Sequence, residues 1–388
     1  MKNLEEIKTF AAEVASQKGY RVPVAFGIAR VTRGVHGKTI AANFATVNYK
    51  ESALTAATLV WALQENGIDV DFSDSECVCA LPQSAVKSAL DVFGCLLGDI
   101  EKHPNVHALF EIDRVYDANS EFEVIFLFED VAPRSVETVY LKLYLLSLGK
   151  APIRSLNLDG AFSLMPNLAW DANGKPYELD WLRKNEIRLK MSDQYPNIVA
   201  VDKFPRYLSH IVPEDNVRIL DSAKVRMGAQ LAAGTVVMPG AAYINFNAGT
   251  LGQVMVEGRV SSSVKVGAGS DVGGGASILG VLSGTNGNPV SIGEKCLLGA
   301  NSVTGVPLGD ACVVDAGIAI LEGTKVFISE AEREKLAALN PTFKFDRDIY
   351  KARELSGLNG LHYRQNSQTG QITASFAARA VKLNENLH

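Results

Sequence analysis

The chain has 388 residues, enough for two domains and a short third. Its hydrophobic fraction of 47% supplies a sizeable core. A net charge of −5 gives no electrostatic reason to expect nucleic acid or an anionic membrane as a partner.

The N-terminal stretch MKNLEEIKTFAAEVASQKGY carries acidic residues and no continuous apolar run. It reads as neither a signal peptide nor a membrane span, so a cytoplasmic protein is expected. LEEIKTFAAEVASQ has apolar residues at 3–4 spacing and predicts a helix. ESALTAATLVWALQENG predicts another, with Gly67 as its C′ residue. Cys77 and Cys79 stand one residue apart, too close for the usual zinc knuckle, and no second pair follows. With Cys95, Cys296 and Cys312 they read as free, buried thiols of a reducing compartment. EFEVIFLFED (121–130) predicts a buried strand, and SVETVYLKLYLLSLG (135–149) a helix capped by its serine. YELDWLRKNEIRLK has a weaker helical pattern. The stretch 191–216, with Pro196, Pro205 and Pro213, reads as a linker. An α/β N-terminal domain over 1–205 is expected.

From 217 to about 328 the pattern changes. Aliphatic residues recur at 219, 225, 231 and 237, then at 254, 260, 266, 272 and 278, then at 292 and 298, then at 308, 314, 320 and 326. A helix needs a period of 3.6 and an ordinary strand a period of two. A period of six fits three short flat strands per turn of a left-handed parallel β-helix, one aliphatic side chain inward per face. GVLSGTNGNPVSIG (280–293) breaks the beat and predicts an external loop. The last region, 329–388, opens with SEAEREKLAALN. Ser329 and Glu332 are spaced for a capping box. Asn366-Ser367 and Thr369-Gly370 predict a hairpin turn, and the whole segment reads as a cap over the open end of the coils, or a charged lid.

The chemistry of the coils is bounded by what they lack. The six histidines are His36, His103, His107, His210, His362 and His388, and none lies between 211 and 361. The coils therefore offer no three-histidine metal set and no histidine base. The candidate proton acceptors are Asp221, Glu257, Asp271, Glu294, Asp310, Asp315 and Glu322. Most stand beside a glycine at a coil corner, where aspartate is structural. Glu257 stands midway between Val254 and Val260, which places it on a flat face. By itself it fits a solvated surface residue better than a catalytic one.

NFNAGTLGQVMVEGRVSSSVKVGAGSDVGGGASILGVLSG, SIGEKCLLGANS and, in the tail, KARELSGLNGLHYRQNSQTG closely resemble the tetrahydrodipicolinate N-succinyltransferases, in their longer-chain branch. The resemblance implies a hexapeptide-repeat acyltransferase that moves succinyl from succinyl-CoA to the amino group of L-2-amino-6-oxopimelate, in lysine and diaminopimelate biosynthesis. It makes Glu257 the catalytic residue, as acyl nucleophile or general base. The glycine run Gly273, Gly274 and Gly275 offers backbone N–H groups to an oxyanion. Arg259 is implied to meet a carboxylate of the succinyl group or acceptor. Gly274, Ser277, Ala300, Asp315, Ala316 and Gly323 are implied along the pantetheine arm. Lys351, Arg364, Gln365, Asn366 and Ser367 are implied at the nucleotide phosphates. The resemblance also implies a homotrimer with small-molecule substrates and no tightly bound cofactor. Related proteins carry a magnesium ion on the trimer axis, held by acidic residues. The matching neighbourhood here, Lys224 and MPGAAYINFN, shows no such acids, so no metal ligand is expected. Two other functions fit the same pattern: an acetyl-CoA-dependent N-acyltransferase and a non-catalytic β-helix binding module.

Overall fold

The computed structural model describes residues 1, 3–281, 287–378 and 381–383. Two compact units emerge: Met1–Leu145 with Ser155–Pro205, and Leu146–Arg154 with Arg206–His388.

In the first unit, α1 (Leu4–Ala15) is followed by β1 (Ala25–Arg33), β2 (Thr39–Tyr49), α2 (Ala53–Glu65), β3 (Glu76–Ala80), α3 (Gln83–Val92), α4 (Pro104–Val115) and β4 (Phe122–Leu127). Gly67 ends α2 with a φ of +77°, a conformation that favours glycine. The four strands form an antiparallel sheet in the order β2-β1-β4-β3. Every residue of β4 is buried, including Glu123, whose carboxylate is paired with Arg33. One face packs Phe26, Val124 and Phe126 against Leu59, Leu63 and Leu109 of the helices. On the other, Tyr144 of α5 (Val136–Ser147) meets Phe44 with ring centroids 5.2 Å apart and donates a hydrogen bond to Asn43 Oδ1. The hydroxyl of Ser135 accepts from the Thr138 N–H, the expected cap. Lys142 of α5 is fully buried. Its ammonium donates to Asp130 Oδ1 at 2.7 Å, to the Val131 carbonyl at 2.6 Å and to the Asn157 carbonyl at 2.7 Å.

After the single turn α6 (Ala161–Leu164), a second small sheet of order β6-β5-β7 is made by β5 (Leu168–Asp171), β6 (Pro176–Glu178) and β7 (Ile198–Asp202), with α7 (Leu179–Met191) between the last two. The stretch read as a linker is therefore partly strand. Pro196 lies just before β7 and Pro205 just after it, so neither interrupts the pairing with β5.

The second unit carries the six-residue beat. Its first sheet takes Arg218–Ile219, Thr235–Val237, Val254–Val256, Asp271–Val272, Leu297–Leu298 and Val313–Val314. A second takes Tyr243–Ile244, Arg259–Val260, Ser277–Ile278, Val303–Thr304 and Ala319–Ile320. A third takes Gly249–Thr250, Lys265–Val266 and Ser291–Ile292. All pairings among these strands are parallel, and the chain visits the three sheets in rotation. Of the predicted aliphatic anchors only Ile219 is half-buried; the others are buried. Residues 282–286 of the predicted loop lie outside the described residues.

The tail joins the first sheet. Leu361–Gln365 runs parallel to Val313–Val314 and forms a hairpin with Ile372–Phe376, which pairs in turn with Lys325–Phe327. Backbone donors at the end of the coils are thus satisfied: Asp315 N–H donates to the Tyr363 carbonyl and Gly309 N–H to that of Leu358. The predicted hairpin turn is present, with Asn366 Oδ1 accepting from the Gln368 and Thr369 amides. Helix α8 (Glu330–Leu339) starts at Ser329, but the capping box does not form. Glu332 turns outward instead, pairing with Lys335 and accepting the Phe376 N–H from the hairpin. Among the described residues no helix is long and apolar enough to cross a membrane.

Candidate active site

The register fixes which residues share a corner. Val237, Val256, Val272, Leu298 and Val314 stack as one inward column of the first sheet. The residues after Val256, Val272, Leu298 and Val314 stack as well: Glu257, Gly273, Gly299 and Asp315. Each donates its N–H to the next coil, at 2.8 Å to Val272, 2.8 Å to Leu298, 2.7 Å to Val314 and 3.0 Å to Tyr363. Glu257 therefore stands at a corner, not on the flat face expected from its sequence position. Val254 and Val256 are both buried, and it is Val256 that closes the column.

That corner is unusually short. Val256 reaches the inward position of the second sheet, Val260, in four residues. Val272 needs six to reach Ile278, and Leu298 needs six to reach Thr304. Gly258 permits the tight turn: a Cβ there would lie 2.3 Å from the Ala276 carbonyl oxygen. The longer corners on either side overhang it and leave a cavity of about 370 Å³. Its walls are Met238, Pro239 and Ala241 of the preceding coil, Glu257 itself, Gly274 and Gly275, and Asn301. Gly258→Ala would push the coils apart at the cavity. It should cost about 1–3 kcal/mol, read as a lower midpoint in chemical unfolding, together with lost turnover.

Glu257 is half-buried, and its carboxylate has no hydrogen-bond or ion-pair partner among the described residues. A Cβ on Gly274 would lie 3.5 Å from Glu257 Oε2, so the backbone of the glycine run borders the carboxylate. Arg259 begins the next face, flanked in register by Tyr243 and Ser277. It is exposed, and its guanidinium also has no partner among the described residues. A carboxylate and a guanidinium two residues apart, neither neutralised among the described residues, are arranged for an outside ligand.

The other predicted residues separate into groups. Gly274 lines the Glu257 cavity. Ser277 is buried beside Arg259. Ala300, Asp315 and Ala316 lie farther along the same corner column. Asp315 is three coils from Glu257, about 14 Å at the spacing of neighbouring strands. Gly323 lies in the turn contacted by the strand end after Lys351, where Arg353 N–H donates to the Glu322 carbonyl and Ala352 N–H to that of Thr324. The Lys351 ammonium is exposed and unpaired among the described residues. Arg364 is held by Asp315 (Nε to Oδ2, 3.2 Å), while Gln365, Asn366 and Ser367 form the hairpin end. The structure thus unites Glu257 with Gly274 in one cavity, sets Arg259 beside Ser277 on the adjoining strands, and separately joins Asp315 with Arg364.

Sequence reasoning missed His362 and Asn301. The tail strand places His362 beside the coils, with its Nε2 2.7 Å from Asp315 Oδ1. The signal was the alternation in LHYRQ, which puts His362 and Arg364 on one face. Asn301, at φ +56°, turns the corner above Gly275, whose missing Cβ leaves room for its Oδ1. A second cavity, of about 740 Å³, runs over the outer face of the first sheet and is lined by Asp271, Leu297, Val313, Asp315, His362 and Lys382. Among the described residues no three His, Cys, Asp or Glu side chains converge on a metal position.

Burial opposes ionisation of Asp315, but the hydrogen bonds and charges of His362 and Arg364 outweigh it and hold its pKa below the ordinary 3.8. A carboxylate so depressed stabilises fully above its unfolded pKa and ceases to as pH falls through the folded value. The tail strand should therefore stay docked above pH 3.8 and loosen below it. Hydrogen exchange at the Asp315 amide reads this directly, and Asp315→Asn should remove the acid step.

Family profiles match three parts of the chain: "Tetrahydrodipicolinate N-succinyltransferase N-terminal" over residues 5–163, "Tetrahydrodipicolinate N-succinyltransferase middle" over 165–206, and "Hexapeptide repeat of succinyl-transferase" over 289–322. A 2,3,4,5-tetrahydropyridine-2,6-dicarboxylate N-succinyltransferase of Sulfurovum sp. (strain NBC37-1) is 58% identical, over 99% of this chain and 98% of its own. One from Campylobacter jejuni is 55% identical, over 99% of each chain. A crystal structure from Campylobacter jejuni, described as a 2,3,4,5-tetrahydropyridine-2-carboxylate N-succinyltransferase, superposes with a TM-score of 0.92 at 55% identity, covering 98% of this chain and 100% of that one. Full-length similarity at this level, on a hexapeptide-repeat scaffold with an unpartnered glutamate in its notched corner, establishes that the chain belongs to the tetrahydrodipicolinate N-succinyltransferase family.

Proposed function

We propose that this protein transfers succinyl from succinyl-CoA to the amino group of L-2-amino-6-oxopimelate, the ring-opened form of tetrahydrodipicolinate, on a left-handed parallel β-helix. The observation that carries the reading is the free, half-buried Glu257 carboxylate in its notch, with the Arg259 guanidinium on the adjoining face. An α-ammonium must lose a proton before it can attack a thioester, and Glu257 is placed to take it. The same carboxylate can instead attack the thioester first and pass the acyl group on. In either route negative charge develops on the carbonyl oxygen; of the glycine run bordering Glu257, Gly273 and Gly275 already donate to the Leu298 and Glu257 carbonyls, so the Gly274 N–H is the donor left for it among the described residues.

Arg259 suits the distal carboxylate of a succinyl group, which acetyl lacks. The larger cavity over the first sheet, of about 740 Å³, is the place for a pantetheine arm, which would pass Asp315, with Ala316 next in the chain, towards the tail. Ala300 presents only a methyl group and Gly323 no side chain to such a chain, and Lys351, Arg364 and the turn Gln365–Ser367 supply the phosphate end. Lys382 is a further cation on that cavity. The cation of Arg364 must then exchange Asp315 for phosphate when the ligand binds. A flat coil face cannot by itself wall a deep cleft around the notch. We assign a homotrimer, three equivalent clefts around a threefold axis, in the cytoplasm. No structural magnesium is invoked.

The test is turnover with succinyl-CoA and with acetyl-CoA, each against the acceptor, with release of free CoA as readout. A preference for succinyl-CoA that Arg259→Ala abolishes is expected. Equal use of the two thioesters would transfer the assignment to an acetyl-dependent enzyme, and no turnover with either, to a binding module. Light scattering should give three chains per particle, and a fully active monomer would remove the trimer from the scheme.

A further inference from the structure

The Cys77-Val78-Cys79 pair has no part in the transfer reaction. It lies on β3, the terminal strand in the order of the antiparallel sheet. Residues i and i+2 of a strand face the same way, and here both side chains face the core under the helices. The two sulfurs are 3.4 Å apart. Cys79 is 3% exposed, while Cys77 is half-buried and so within reach of solutes.

We infer that Cys77 and Cys79 form a two-electron dithiol site, which peroxides close to an intrachain disulfide and trivalent arsenicals bridge. The sulfurs need approach by only about 1.4 Å to reach disulfide bonding distance. A strand at the sheet edge, paired on one side, can accommodate that shift. The roles of the two thiols are unequal. The hydrogen bond from Cys79 brings Cys77 down to about 7, whereas that same contact and burial keep Cys79 protonated well above the usual thiol range. Cys77 is therefore the attacking sulfur and Cys79 the resolving one.

With hydrogen peroxide, the Cys77 thiolate attacks one oxygen. An S–O bond forms, the O–O bond breaks, and hydroxide leaves to become water. Cys79 then gives up its proton, its sulfur attacks the Cys77 sulfenic acid, the S–S bond forms and the second water departs. The two thiols together lose two electrons and one peroxide is reduced to two waters. With an aryl arsenoxide no electrons are exchanged: two As–S bonds replace the As=O bond, and one water leaves.

The experiment is peptide mapping of the full-length protein after hydrogen peroxide, with differential alkylation, and binding of phenylarsine oxide. The peptide holding both cysteines should become lighter by two hydrogens and recover with dithiothreitol. It should do so about tenfold faster than Cys95, the other half-buried thiol, is oxidised. Phenylarsine oxide should bind one per chain, and Cys77→Ser and Cys79→Ser should each abolish this. Cys79→Ser should leave Cys77 as a sulfenic acid that dimedone tags. Should either serine variant fail to fold, the wild-type mapping decides alone. Unchanged alkylation of both thiols after peroxide, or oxidation no faster than at Cys95, would overturn the inference. Arsenical retained by a folded single variant would do the same.

Discussion

Glu257→Gln should leave the coils folded and lower kcat by about two to four orders of magnitude, the range for loss of an acid–base group. The amide keeps the size of the side chain and cannot accept the ammonium proton or act as a nucleophile. Glu257 has no protein partner among the described residues, so no ion pair is broken and thermal stability should be unchanged. KM for succinyl-CoA should change little, because the substitution keeps the side chain's size and leaves Gly274 and the more distant proposed CoA contacts in place. Retention of most of the wild-type kcat would return Glu257 to a solvated surface role. The two routes separate in the absence of acceptor. A nucleophilic Glu257 releases one CoA per site from succinyl-CoA, and a general base releases none.

Lys142→Met should destabilise the first unit by about 3–5 kcal/mol, the cost of removing one partner of a buried ion pair. The ammonium ties together three segments through Asp130, Val131 and Asn157. Methionine fills the space but leaves two carbonyls without a donor and Asp130 without its counter-charge. The Asp130 carboxylate also accepts the Asn157 N–H, so the loop it orders loses its centre. All three tryptophans, Trp61, Trp170 and Trp181, lie in the first compact unit. Urea unfolding followed by tryptophan fluorescence therefore reads this unit by itself, and the midpoint should fall. A midpoint within experimental scatter of wild type would mean that water replaces the ammonium at no cost.

Much of the fold was legible because it is written in local spacing. The aliphatic beat of six marks inward positions regardless of what surrounds them, and α1, α2, α5 and β4 carry their own periodicity and caps. The errors arose where a distant residue decides the outcome. Val254 and Val256 both point inward, so spacing by itself cannot say which closes the coil. The choice rests on pairing with Val237 and Val272. The short corner depends on Gly258 meeting the Ala276 carbonyl, a contact between coils. Glu332 left the predicted capping box because the Phe376 amide lies within its reach. His362 lies outside the repeats and their beat says nothing of it, yet its strand pairs with Val313–Val314. Glu257, by contrast, was found through its odd residue type within the beat and through the family motif around it.

The pairing of Leu361–Gln365 with the last coil also orders the events of synthesis. The repeats leave the ribosome N-terminal end first, and each coil can settle on the one before it. The final coil has no neighbour until the tail follows. At about 5–20 residues per second, that leaves an unpaired parallel strand edge exposed for a few seconds on every nascent chain. A second nascent chain on the same message would present an identical edge. The tail is thus a timed stopper against end-to-end joining of unfinished molecules, and chains terminated before residue 361 should be recovered as aggregates.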